Sequence, residues 1–92
     1  MAKAIVTVRI MPVSPETDLG KVESEALEKI KSFAGETETK SEQKPVAFGL
    51  KALDIIFVMD ESKGSTEPVE EALKTIEGVQ SVEVTDVRRA IG

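Results

Sequence analysis

The stretch from Phe48 to Met59 constrains the fold more than any other. Leu53, Ile55, Phe57 and Met59 recur at every second position and share one face, while Ile56 and Val58 fall on the other. Period two in β-branched and aromatic residues predicts a strand. Apolar residues on both faces predict a central strand, because both of its sides must be shielded from water. Asp54 interrupts the run between Leu53 and Ile55. Its carboxylate is expected on the open face of the sheet, in water, with helices covering only the other side.

A central strand needs partners, and the flanking sequence supplies them. From Lys3 to Met11, Ala4, Val6, Val8 and Ile10 fall on one face and Lys3, Thr7 and Arg9 on the other. This predicts a half-buried strand that Pro12 and Pro15 end. Thr17 or Asp18 is placed to cap a helix. Leu19, Val22, Ala26, Ile30 and Phe33 then follow at spacings of three and four, with Leu27 widening the stripe. The pattern is an amphipathic helix of about four turns, closed by Gly35 in a left-handed cap. Glu36 to Lys44 is polar, with Thr37 and Thr39 suited to a strand. A charged edge strand discourages pairing with other molecules, so this segment is a polar edge strand or a long loop.

After Met59, Asp60-Glu61-Ser62-Lys63-Gly64 reads as a polar turn. Ser65 or Thr66 caps a second helix with Pro68 in its first turn, and Val69, Ala72, Leu73 and Ile76 form its stripe up to Gly78. Val79 to Val87, with Val82 and Val84 on one face, reads as the last strand, and Arg88-Arg89-Ala90-Ile91-Gly92 as a tail. The order is β-α-β-β-α-β. It predicts an α+β class, ferredoxin-like βαββαβ sandwich, a four-stranded antiparallel sheet with two helices on one face. Right-handed crossovers put the first and third strands, which are the most apolar, in the middle.

Composition bounds the chemistry. The 92 residues suit one domain, of which 40% are hydrophobic and 32% charged, a soluble globular balance. No apolar run approaches the roughly 20 residues that span a bilayer, and the N-terminus lacks a signal-peptide pattern, so a cytoplasmic protein with no membrane partner is expected. There is no Cys and no His. Disulfides, thiolate nucleophiles, Cys-zinc sites and a Ser-His triad are therefore excluded within the chain, and the side chain best suited to proton transfer near pH 7 is missing. The net charge of −5 disfavours direct nucleic-acid binding, which needs clustered Lys and Arg. RNA-binding domains of the same topology carry exposed aromatics on their central strands, whereas Phe33 and Phe57 fit core positions here.

Two carboxylate groupings have plain readings. Glu67, Glu70 and Glu71 sit near a helix N-terminus, where negative charge is favourable, and no His or Cys completes a metal site. Glu23, Glu25 and Glu28 alternate with Lys21, Lys29 and Lys31 as a solvated face. The short Gly64-Ser65-Thr66 has no phosphate-binding context, so neither GTP nor ATP is expected to bind this chain, and no metal or cofactor is expected.

Two features stand apart. In Lys44-Pro45-Val46-Ala47-Phe48-Gly49-Leu50-Lys51-Ala52-Leu53, a lone Phe48 at a strand entrance is flanked by Pro45 and Gly49. Gly49 lets another backbone come close. The aromatic is a core plug or an anchor for a partner. The second feature is the basic pair Arg88 and Arg89 on an otherwise acidic chain. A guanidinium can bind phosphate or carboxylate bidentately.

Residues 45–53 resemble the signature of the elongation factor 1-beta family, which has a Pro, a small residue, an aromatic, Gly, an aliphatic, Lys and Leu in this order. Glu16-Thr17-Asp18-Leu19 is similar to the family's acidic stretch before the first helix, and Val79-Gln80-Ser81 to the segment before its last strand. The likeness covers essentially the whole chain and implies a single guanine-nucleotide exchange domain over residues 1–92, standing alone as in archaeal members. It implies a translation factor, with no covalent chemistry, that speeds release of GDP from elongation factor 1-alpha, so that GTP can bind and aminoacyl-tRNA can be delivered. The implied partner is that GTPase in its GDP-bound and nucleotide-free states. The resemblance puts the family's contact aromatic at Phe48, with Gly49 and Lys51 in the same partner-binding motif. It puts the basic residue that perturbs the partner's magnesium and phosphate contacts at Arg89, where the family has Lys, with Arg88 able to share the role. The competing reading is a ferredoxin-like module for small-ligand binding or regulatory assembly, using Ile56 and Val58.

Overall fold

The computed structural model describes residues 3–35 and 38–90. Glu36 and Thr37 of the polar segment and Ile91-Gly92 of the tail lie outside the described residues.

The strands are β1 (Lys3–Pro12), β2 (Thr39–Pro45), β3 (Lys51–Asp60) and β4 (Val79–Ala90), and the helices are α1 (Leu19–Ala34) and α2 (Glu67–Lys74). One antiparallel sheet has the order β2-β3-β1-β4, so the two most apolar strands are central, as the crossover argument requires. The polar segment is an edge strand from Thr39 onward, paired to β3 from Thr39↔Phe57 to Pro45↔Lys51.

The core lies between the sheet and the helices. Val6, Val8 and Ile10 of β1 and Leu53, Ile55 and Phe57 of β3 are fully buried, and they meet Val22, Ala26 and Ile30 of α1 and Val69 and Leu73 of α2. Burying side chains of this size contributes about 1.5–3 kcal/mol each before chain entropy is set against it. Of the two candidate caps for α1, Asp18 is the one: its Oδ1 accepts from the N–H groups of Gly20 at 3.1 Å and Lys21 at 3.2 Å. At the second helix the roles divide. Ser65 Oγ accepts from the Glu67 N–H at 3.0 Å, whereas Thr66 Oγ1 donates to Glu70 Oε2 at 2.9 Å.

Gly78 fixes how the helical layer meets the sheet. Its φ is +92°, and a Cβ there would stand 2.9 Å from Thr17 Cγ2. Its carbonyl accepts from the Val13 N–H at 2.9 Å, tying the loop before α1 to the turn before β4. Both the backbone conformation and the close approach demand glycine.

Three boundaries differ from the sequence reading. The central strand starts at Lys51 rather than Phe48, because residues 46–50 close the β2–β3 hairpin: the Val46 N–H donates to the Leu50 carbonyl at 2.8 Å. Helix α2 stops at Lys74, and the buried Ile76 follows it in the turn. Strand β4 runs on to Ala90, so Arg88 and Arg89 belong to the sheet and not to a tail. Continued pairing with β1, down to Lys3↔Ala90, is what extends it.

Candidate functional site

The two groups of site residues lie at opposite ends of the sheet. The β2–β3 hairpin tip, with Phe48, stands beyond the Lys51 end of β3, whereas Arg89 pairs with Ala4 near the Asp60 end. The ten residues of β3 between these ends span about 30 Å. The molecule itself is 41 Å long and 21 by 18 Å across. Phe48, Gly49 and Lys51 are thus brought together, as are Arg88 and Arg89, but the two groups are not.

At the hairpin tip, residues 47–50 form one tight turn, closed by the Leu50 N–H donating to the Ala47 carbonyl at 3.3 Å. Phe48 sits in the left-handed region at φ 62°, ψ 30°, followed by Gly49 at φ 74°. Left-handed backbone costs an L-residue roughly 1–2 kcal/mol, and a bulky aromatic rarely adopts it. The side chain gains no burial in return, being 93% exposed. Of the two sequence readings, the core plug is therefore wrong. Lys51 and Gly49 border a cleft of about 320 Å³ whose far wall is the loop from Pro12 to Gly20, including the cap Asp18. The family-like acidic stretch and the Phe48 motif, far apart in sequence, are neighbours across this cleft.

At the other end, a β-bulge decides where the arginines point. Val84 pairs with Val8 and Asp86 with Thr7, leaving Thr85 as the extra residue, whose Oγ1 reaches the Thr7 carbonyl at 3.5 Å. Beyond the bulge Arg88 stands opposite Ile5 on the open face, and Arg89 opposite Ala4 on the helix side. Each guanidinium is already engaged. Arg88 Nε donates to Asp86 Oδ2 at 2.8 Å. Arg89 meets Glu61 as a fork: Nε to Oε1 and Oε2, both at 3.1 Å, and a terminal nitrogen to Oε1 at 2.9 Å. These bonds raise the Arg89 pKa further above its ordinary value, so the group is cationic at any working pH. Glu61 is held in turn by its own loop. Asp60 Oδ1 accepts from the Ser62 N–H at 2.9 Å, which lowers the Asp60 pKa, and Gly64 at φ 79° closes the turn over Glu61–Lys63.

Between the ends, the open face corrects the reading of Asp54. It is on that face, but it is buried and not in water. Arg9, opposite it on β1, donates from Nε to Oδ1 at 2.9 Å and from a terminal nitrogen to Oδ2 at 3.2 Å. Lys44 of β2 brings its Nζ within 3.6 Å of Oδ2. The Arg9 hydrogen bonds outweigh burial and hold the Asp54 carboxyl below its ordinary pKa. This group was missed in the sequence, although opposite charges at mid-strand in β1 and β3 were its signal. Ile56 and Val58, which an assembly or ligand-binding module would use, are half-buried on this face. Among the described residues no cluster of His, Cys, Asp and Glu is arranged to hold a metal ion, and no helix is long and apolar enough to cross a membrane.

Residues 5–90 match the model of the EF-1 guanine nucleotide exchange domain. The chain belongs to this family. Its role is guanine-nucleotide exchange in translation elongation. Proteins named elongation factor 1-beta are similar over nearly their whole length. That of Methanothermobacter thermautotrophicus is 43% identical, covering 97% of this chain and 98% of its own. That of Methanosphaera stadtmanae is 42% identical at the same coverage, and that of Hyperthermus butylicus 40% identical over 97% and 96%. Among solved structures, the de novo designed protein Foldit4 shares the fold, with a TM-score of 0.64 at 22% identity over 98% of each chain. The likeness to the designed protein shows the fold alone.

Proposed function

We propose that this exchange factor acts on elongation factor 1-alpha in the cytoplasm, speeding GDP release so that GTP replaces it, and that it meets that GTPase in both its GDP-bound and nucleotide-free states. Phe48 is the docking anchor, with Gly49 and Lys51 beside it. Arg89, assisted by Arg88, acts on the magnesium and phosphate contacts of the partner's nucleotide site. The reading needs no covalent step, no cofactor and no nucleic acid.

The observation that carries it is Phe48, an aromatic 93% exposed on a left-handed backbone at a hairpin tip. The hairpin needs a left-handed turn there but gains nothing from an exposed aromatic in it, whereas a large rigid side chain entering a partner's apolar pocket is a typical binding hot spot. The same fold supports a two-point contact. A partner that touches Phe48 and Arg89 together meets the domain along its 41 Å axis. Docking at the tip then delivers the arginines about 30 Å away, because a paired sheet transmits position rigidly. Exchange follows if the nucleotide-free GTPase is bound more tightly than the GDP form, since only differential affinity shifts the equilibrium. An Arg in place of the family's Lys presents a planar fork able to take two oxygens at once.

The test is release of a fluorescent GDP from an archaeal elongation factor 1-alpha, chased with excess unlabelled nucleotide, with and without catalytic amounts of this protein. Acceleration that saturates with the GTPase and is absent with an unrelated GTPase is expected. An unchanged rate with an active cognate GTPase overturns the proposal.

A further inference from the structure

The bidentate pair between Arg89 and Glu61 joins residues 28 positions apart in sequence and comes from two different elements, the end of β4 and the turn after β3. Nothing in the core requires it: both side chains lie at the rim, 72% and 31% exposed. Yet three features of the chain converge to make it. The Thr85 bulge sets β4 so that Arg89 falls on the helix side, opposite Ala4. The Asp60–Ser62 hydrogen bond and Gly64 fix the turn that presents Glu61. The Glu61 carboxylate then takes the Nε edge of the guanidinium fork. A carboxylate in this geometry occupies the Nε-edge donors with which the fork would grip two oxygens of a phosphate or of a metal-ligating carboxylate.

We propose that Glu61 is a positioning residue for Arg89, parking its guanidinium in a pair that the anionic groups of the partner's nucleotide site must take over during exchange. This rests on the proposed role of Arg89. The exchange of ion partners explains how a cation can wait at the end of an exposed strand without binding anions at random. Because the pair is exposed, its net strength is small, so it holds Arg89 in place without locking it. The cost of breaking it falls on the step in which Arg89 enters the nucleotide site. It does not fall on docking, which Phe48 governs some 30 Å away.

The test uses Glu61→Gln, which keeps the shape of the side chain and removes its charge. Nucleotide-release kinetics on the GDP-bound GTPase should show kcat raised about two- to five-fold, the range an exposed ion pair supplies, with KM unchanged. Thermal unfolding should be unchanged or slightly lowered, so that activity and stability move in different directions, which a merely structural role would not produce. Glu61→Asp, which keeps the charge but shortens the reach, should fall between wild type and Glu61→Gln. In an Arg89→Ala background the gain from Glu61→Gln should vanish. If Arg89→Ala slows exchange while Glu61→Gln leaves it unchanged or slower, the positioning role is overturned and the exchange reading stands. If the gain persists without Arg89, the role is likewise overturned. If Arg89→Ala alone exchanges at the wild-type rate, the reading of Arg89 itself fails.

Discussion

The hairpin tip and the end of β4 hold the side chains proposed to act in exchange in opposite ways. Phe48 stands bare, on a backbone that the fold must force into an unfavourable conformation. Arg89 stands paired, in regular strand, with its Nε and one terminal nitrogen bonded to Glu61. The difference follows from the chemistry of the two groups. One exposed aromatic is tolerable, because a single apolar residue makes too small a patch to drive aggregation. A free guanidinium bids for any passing anion, so it is better kept on an internal carboxylate that can be exchanged. On the proposed reading, an apolar anchor waits exposed and a charged lever waits occupied.

That contrast can be broken from either side. The largest effect is expected at the tip. Phe48→Ala should cut exchange by about 30-fold, corresponding to loss of a hot spot of about 2 kcal/mol, mainly through KM. Its unfolding free energy should barely change, because the ring touches almost nothing in the free protein. A loss of stability as large as the loss of exchange would mean that Phe48 supports the fold after all. The next effect is on the span that joins the ends. Asp54→Asn leaves Arg9 half-paired and should lower stability by about 2 kcal/mol at pH 7, less than for a fully buried pair because the Arg9 side is open to water.

The same pair gives a pH dependence. The folded pKa of Asp54 lies below its unfolded value, so its contribution is present above that unfolded value, about 3.9, and is lost as pH falls through the lowered native one. Urea unfolding at pH 7 and pH 3 should show wild type losing more stability than Asp54→Asn. Asp60, lowered in the same direction, is present in both proteins and cancels in the comparison. The smallest effect sharpens the contrast most. Phe48→Gly should raise stability by about 0.5–1 kcal/mol by relieving the left-handed strain, while exchange falls as it does for Phe48→Ala. Calorimetry that finds Phe48→Gly less stable than wild type would remove strain from the account of the tip.

Much of the fold was legible because periodicity and burial agree. The alternation in Lys3–Met11 and Leu53–Met59, and the three-and-four spacing from Leu19 to Phe33, each map onto one buried face. What escaped are features that arise only when strands meet. The bulge in β4 is one. Its signal is the step of three from Val84 to Val87 where a regular strand steps by two. Without the pairing to β1, that step looks like the end of the strand, and Arg88 and Arg89 look like a tail. Phe48 is another. Its sequence neighbours mark a turn, but only the closed hairpin rules out the plug. The Glu61–Arg89 pair depends on two chain ends of the sheet coming together, which no local pattern encodes.

The Arg9–Asp54–Lys44 group has a consequence for where Phe48 ends up. Thr-Lys-Ser-Glu-Gln-Lys-Pro, the sequence of β2, contains no large apolar side chain, so burial cannot tell this strand which residue of β3 to lie beside. The closed turn can, and the charges then have to suit it: the Lys44 ammonium sits between Glu42 at 3.8 Å and Asp54 at 3.6 Å, separating two carboxylates that this register sets face to face. Slide β2 by one position and its charges turn to the other face, leaving Asp54 and Glu42 unreconciled. The buried aspartate therefore works as an index mark on a vernier. Together with the closed turn, it helps hold a featureless edge strand in the register that carries the aromatic tip of the hairpin.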